Sequence, residues 1–223
     1  MTISVVIPAY NEEKYIAQCL DGLQHQTVKP DEIIVVNNNS DDKTIAIAEK
    51  YHAYIIHEKQ QGIIHARNAG FNAVRSDIIA RCDADTIPAY DWIERIISDF
   101  TNQTIDAISG PIFFHDLPMM KTFNLPSKMY AQFMKKLQGH ETLLGPNMAL
   151  TKLMWNKVKN EVCLDDTKVH EYIDLALHVK KYGTILFDPA LCVHTSARRM
   201  RSNVFSFFVE YPIRFIKTLN QHN

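Results

Sequence analysis

Two carboxylates one residue apart, Asp83 and Asp85, follow the apolar run Ile78-Ile79-Ala80. Carboxylate oxygens are hard donors of the kind Mg²⁺ and Mn²⁺ take, and these ions keep positions open for phosphate and water. A cation held there would neutralise a departing diphosphate. Ligands of open α/β sheets gather beyond the carboxyl ends of the strands, which is where the order Cys82-Asp83-Ala84-Asp85-Thr86 would put the pair. An ordinary solvated loop uses the same residue types. Three further polar groups carry similar alternatives. Pro8-Ala9-Tyr10-Asn11-Glu12 offers a ring and an amide to a nucleobase, or else a strand-to-helix turn with Asn11 as N-cap. The run from Asn37 to Asp42 suits a base or sugar hydroxyls, or else caps the next helix. Within Gly62–Gly70, Arg67 and Asn68 are placed to reach a phosphate or the acidic pair, or else lie on the surface.

The elements that must position these groups are legible from periodicity. Ile3 to Ala9 reads as a buried strand, with Tyr15, Ile16, Cys19, Leu20 and Leu23 at helical spacing after it. Strands follow at 33–36, 53–56, 78–82 and 107–113, with helices opened by Asp41-Asp42, spanning 62–74 and centred on Trp92. Alternating strand and helix predicts an α/β fold with a mostly parallel, Rossmann-like sheet and helices on both faces. From 115 to 146 the alternation weakens to loop and short helix. A helix over 167–182, stopped by Gly183, and short strands at 185–187 and 191–194 complete residues 1–200.

In combination the four polar groups resemble family 2 glycosyltransferases of the GT-A fold. The matching segments are Val5-Val6-Ile7-Pro8-Ala9-Tyr10-Asn11-Glu12, then Val36 to Thr44, then Gly62 with Ala66-Arg67-Asn68-Ala69-Gly70, then Asp83-Ala84-Asp85. The likeness continues at Gly145 to Ala149, His170 to Leu175 and Asp188 to Arg199, covering roughly residues 2–200. It implies an inverting transfer from a nucleoside-diphosphate sugar to a glycan or lipid-linked acceptor, with Mg²⁺ or Mn²⁺ as cofactor. Residues 1–113 would form the nucleotide half and 114–200 the acceptor half. Pro8, Tyr10, Glu12, Asn37, Asn38, Arg67 and Asp83 would bind the nucleotide sugar, and Asn147 the acceptor. Asp85, Asp83 and His194 would hold the metal.

The sequence departs from that pattern twice. Asn37 and Asn38 stand where the family has an acidic base-contacting turn, and an amide adds a donor and loses the charge. Tyr172 stands where the family supplies an Asp as general base, and a phenol with an ordinary pKa of about 10 is a poor base near neutral pH. Glu171 and Asp174, three apart on one helix face, are the candidates to deprotonate the acceptor; an acceptor already ionised would need no base. A non-catalytic sugar-nucleotide-binding protein on the same fold is the alternative.

Lys and Arg number 24 against 25 Asp and Glu, which lacks the basic excess of a general nucleic-acid binder. Cys19, Cys82, Cys163 and Cys192 form no close pair in sequence, as expected of reduced thiols in the cytoplasm. The N-terminus shows no signal-peptide pattern, and no run of 18 apolar residues is present. Residues 201–223 read as a C-terminal amphipathic helix. Its basic and aromatic side chains over 201–219 fit a peripheral contact with the inner face of a membrane, or a docking helix on the core.

Overall fold

The computed structural model describes residues 1–117, 125–198 and 217–218. A seven-stranded sheet runs in the order β3 (Tyr54–His57), β2 (Glu32–Asn37), β1 (Ile3–Ala9), β4 (Ile78–Arg81), β8 (Met148–Thr151), β6 (Ala107–Ser109), β9 (Ile185–Phe187). All seven residues of β1 are buried, as a central parallel strand covered on both faces requires. Pro8 is tolerated in this strand because it lies past the last β1–β4 pair, Val6 opposite Arg81.

Side chains alternate across β1 and so build two cores. Val5 and Ile7 pack with α1 (Ile16–Gln24), α2 (Thr44–Lys50) and α4 (Trp92–Asn102). Val6 faces α3 (Ile63–Ala73), α6 (Lys152–Val158) and α7 (Glu171–Tyr182), where Phe71 meets Trp155 edge to face at 5.2 Å. Helices therefore cover both faces, as the alternation predicts.

Several expectations need correction. The sheet is mostly parallel, as expected, but it includes a strand the periodicity does not mark: β8, which runs antiparallel to both β4 and β6. The strand expected over 107–113 breaks at Gly110-Pro111 into β6 and β7 (Ile112–Phe114), which belong to different sheets. Any Cβ at Gly110 would lie 2.1 Å from the Leu191 carbonyl oxygen, so only glycine permits that crossing. A second sheet, β5 (Thr86–Pro88), β10 (Val193–Thr195) and β7, stands beside the carboxylate pair. Residues 115–146 contain α5 (Leu125–Gln138), longer than the short helix expected. Asn11 is not an N-cap: it adopts φ 53° and its Oδ1 accepts from the Asp41 N–H at 3.0 Å, while α1 starts five residues later. Helix α7 begins at Glu171 rather than 167. The C-terminal amphipathic helix lies outside the described residues, apart from Lys217 and Thr218. Among the described residues no helix is long and apolar enough to cross a membrane.

Gly70 shows why its motif ends in glycine. A Cβ there would stand 2.4 Å from Val6 Cγ1 and 2.8 Å from Val36 Cγ2, so α3 lies directly on β1 and β2. Gly70→Ala should destabilise the fold by about 1–3 kcal/mol through overpacking. Differential scanning calorimetry should show the melting temperature falling by about 2–4 °C for each kcal/mol.

Candidate functional site

Arg81 closes β4 on an apolar strand, and its buried guanidinium organises one side of the site. Its Nη1 donates to Glu171 Oε1 at 2.5 Å and its Nη2 to Asp83 Oδ1 at 3.1 Å. Arg67, wholly buried on α3, donates through Nη1 to the same Glu171 oxygen at 2.9 Å and to the Glu171 carbonyl at 3.2 Å. One carboxylate at the start of α7 thus holds two guanidiniums from α3 and β4. Burial pushes the Glu171 carboxyl up, but Arg81 and Arg67 outweigh that and hold it below the usual range.

The second cluster joins β1 to β10. Arg198 donates through Nε to Asp85 Oδ2 at 2.9 Å and through Nη2 to Glu12 Oε1. Its guanidinium carbon lies 4.4 Å from the centroid of the Tyr15 ring, a cation–π contact. The other Asp85 oxygen accepts from Thr195 Oγ1 at 3.2 Å.

The expected site residues divide into those near these clusters and those committed elsewhere. Glu12, Asp83 and Asp85 stand at the ends of β1 and β4. Tyr10 directly follows β1 and is 52% exposed. Pro8 is buried within its strand. Arg67 touches Glu171, Asn68 and the face of Trp155, so its guanidinium faces the interior and not a phosphate. The Asn38 amide donates to the Glu58 and Gln60 carbonyls and accepts from the Gly62 N–H. Asn37 accepts from the Ser40 N–H and bonds His57. Both side chains brace the turn instead of presenting their amides outward.

Four of the expected site residues are committed to other contacts. Asn147 has no exposed surface; its Oδ1 accepts from Trp92 Nε1 at 2.8 Å, and its Nδ2 donates to the Pro111 and Leu191 carbonyls at 3.1 and 2.7 Å. It ties the fold together and cannot meet an acceptor in this arrangement. His194 faces away from Asp85 because strand side chains alternate: Thr195 takes the Asp85 side, and His194 stacks on Phe113 at 5.1 Å. Asp174 is buried, accepts from the Cys163 N–H at 3.0 Å and lies 3.6 Å from His178 Nε2, which leaves it turned into the protein. Glu171, held between two guanidiniums, has a weakened affinity for protons and makes a poor base. Tyr172 flanks the site side: a Cβ at Gly145 would lie 3.3 Å from its Cδ1 and 3.4 Å from Arg81 Nη2. Among the described residues no group of three or more His, Cys, Asp or Glu is arranged to hold a metal.

Residues 4–154 match the family model described as Glycosyl transferase family 2. The chain belongs to this family. Glycosyltransferase AglE of Haloferax volcanii is 36% identical over 120 residues, covering 50% of this chain and 40% of that protein. The chain therefore spans less than half the length of this relative. Among solved structures, the mannosyltransferase PcManGT from Pyrobaculum calidifontis, in complex with GDP-Man and Mn²⁺, superposes with TM-score 0.74 at 16% identity, over 98% of this chain and 63% of that one. TarS 1-349 of S. aureus in complex with UDP-GlcNAc gives TM-score 0.70 at 19% identity, over 89% and 59%. The fold is GT-A.

For this family 2 chain, motif reading missed Arg81, Thr195 and Arg198. Arg81 did leave a signal, since an arginine inside the run Ile78 to Cys82 demands a buried partner. Arg198 sits in the matched segment 188–199, but nothing local names Asp85 and Glu12 as its partners.

The Glu171 cluster can be tested by pH. Glu171→Ala leaves two buried guanidiniums undercompensated and should cost about 3–5 kcal/mol at pH 7. Because the folded-state pKa lies below its ordinary value of 4.5, the carboxylate's contribution is complete above that pH and is lost as pH falls through the lower folded value. Urea unfolding should show the stability gap between native protein and Glu171→Gln constant from about pH 7 to 5 and closing below that. A gap unchanged under acid conditions would refute the ionised clamp.

Proposed function

We propose that the chain catalyses sugar transfer from a nucleoside-diphosphate sugar to a glycan or lipid-linked acceptor, with inversion and with Mg²⁺ or Mn²⁺. One observation carries this reading. The order β3-β2-β1-β4 reverses direction between β1 and β4, and open α/β sheets bind ligands in the crevice at such a switch point. Glu12 follows β1 and Asp83 and Asp85 follow β4, so three carboxylates flank that crevice. The solved neighbours hold GDP-Man with Mn²⁺ in one case and UDP-GlcNAc in another, which supports the same donor class here.

The donor set suits a hard cation, since Asp83 and Asp85 offer only oxygen. When bound, the metal would supply positive charge to the diphosphate leaving group. The remaining work belongs to the protein. Tyr10 offers its exposed ring to the base, and the turn at 37–40 shapes the pocket through its backbone. Arg67 and Glu171 act as positioning residues: they fix Arg81, which aims Asp83. The nucleotide occupies the 1–113 half, and the acceptor enters over the 114–200 half near Gly145 and Tyr172. The enzyme works in the cytoplasm, with residues 201–219 as its peripheral membrane contact. The basic and aromatic side chains of that segment support the contact.

The test is a thermal-shift panel of nucleoside diphosphates and sugar nucleotides, with and without Mn²⁺, followed by turnover with acceptor. A ligand at 100 times its Kd should stabilise the native state by about 2.7 kcal/mol. Asp85→Ala should lose the Mn²⁺-dependent part of the shift and drop kcat by about 10²–10³-fold, the scale of losing one electrostatic stabiliser. Binding without turnover would establish the non-catalytic alternative. No shift with any nucleotide would overturn both.

A further inference from the structure

Arg198 occupies the same carboxylate that the proposed function assigns to a divalent cation. Its Nε bonds Asp85 Oδ2 at 2.9 Å, its Nη2 bonds Glu12, and its guanidinium lies on the Tyr15 ring at 4.4 Å. Thr195 takes the second Asp85 oxygen at 3.2 Å. The side chain is 28% exposed, so it has a path outward, unlike buried Arg67 and Arg81. A guanidinium keeps its charge at every pH the fold survives. A second cation at Asp85 Oδ2 would meet that charge at hydrogen-bond distance. Arg198 must therefore leave Asp85 before a metal can coordinate there.

A displaced guanidinium needs a new anion. The planar fork that spans Glu12 and Asp85 also matches pairs of phosphate oxygens. We propose that Arg198 and a divalent cation exchange at Asp85, and that the diphosphate of the nucleotide drives the exchange by accepting the displaced guanidinium. Arg198 is then a positioning residue that makes cation binding depend on nucleotide. The inference rests on the reading of Asp85 as a metal ligand. By linkage, nucleotide and cation each raise the other's affinity by the same factor. The competition adds something that chelation by a diphosphate does not: removing Arg198 tightens the cation on its own.

The experiment titrates Mn²⁺ into the full chain, reading free Mn²⁺ by electron paramagnetic resonance, first alone and then with whichever of UDP and GDP binds. Removing the competitor should tighten Mn²⁺ alone by about tenfold in Arg198→Ala and Arg198→Gln, within the usual range of coupling between sites. The nucleotide should bind these variants about tenfold more weakly in the presence of Mn²⁺. Arg198→Gln removes the charge but retains a long side chain over Tyr15, so it carries the comparison if the alanine variant melts early. Arg198→Lys keeps the charge without the fork and should hold Mn²⁺ alone near the native affinity. Equal Mn²⁺ affinity in native protein and Arg198→Gln, with the Mn²⁺–nucleotide complex still forming in both, would overturn the exchange and leave the site reading intact. Failure of native protein and variants to bind Mn²⁺ with either nucleotide would overturn both.

Discussion

Two arginines sharing one buried glutamate set the geometry on which the site depends. Arg67, Arg81 and Glu171 come from a helix, a central strand and a second helix, and their side chains are 0%, 2% and 7% exposed. Burying two positive charges against one negative would leave an uncompensated charge in a low-dielectric interior. Asp83, bonded to the second guanidinium at 3.1 Å, supplies the missing negative charge. These four side chains carry two charges of each sign, and the bond to Arg81 fixes where Asp83 points. Electrostatics thus links Arg67 on α3 to Asp83 after β4 through a chain of three short contacts.

The rest of the fold supports this arrangement with further polar groups that are equally committed. Asn147 bonds the Trp92 indole and two loop carbonyls, fixing α4 and the 110–111 crossing to the head of β8. Asn38 ties the end of β2 to the segment preceding α3. Thr44 Oγ1 accepts from the Glu12 N–H at 2.7 Å, and Asp42 from the Glu13 N–H at 3.0 Å, so the turn after β1 is held by the start of α2. Each tie satisfies a buried or half-buried polar group that would otherwise cost about 1–3 kcal/mol. Together they tie the turns after β1 and β2 and the segment before β8 to the elements around them.

Much of this architecture was legible in the sequence because it follows from period and composition. The apolar run of β1, the amphipathic α4 and the glycine at 70 fall where spacing puts them. What escaped has physical causes. Strand β8 is four residues long, directly follows the buried Asn147 and is itself almost wholly buried, so neither length nor alternation marks it. The break at Gly110-Pro111 converts one expected strand into two because a close approach to Leu191 intervenes, a tertiary contact with no local signature. His194 was misplaced by a single residue of register, and in a strand one residue changes the face. Thr195 therefore faces Asp85 where His194 was expected.

The site residues follow a more general division. A motif constrains residue type at a position whether that residue touches ligand or only holds one that does, and the pattern of letters is the same in both cases. Arg67, Asn38 and Asn147 all have chemistry that suits a nucleotide or a sugar, yet the bonds of each end on the protein itself. Glu12, Asp83 and Asp85 have the same chemistry and lie at strand ends beside the switch point. The bonds of these three also end on protein side chains, Arg198, Arg81 and Thr195, so what separates the groups is place in the fold; the partners lie 55 residues away for Asn147 and 104 for Arg67. Such partners are set by strand order. The fold decides which of the motif's polar residues are enclosed as scaffold and which stand at the strand ends.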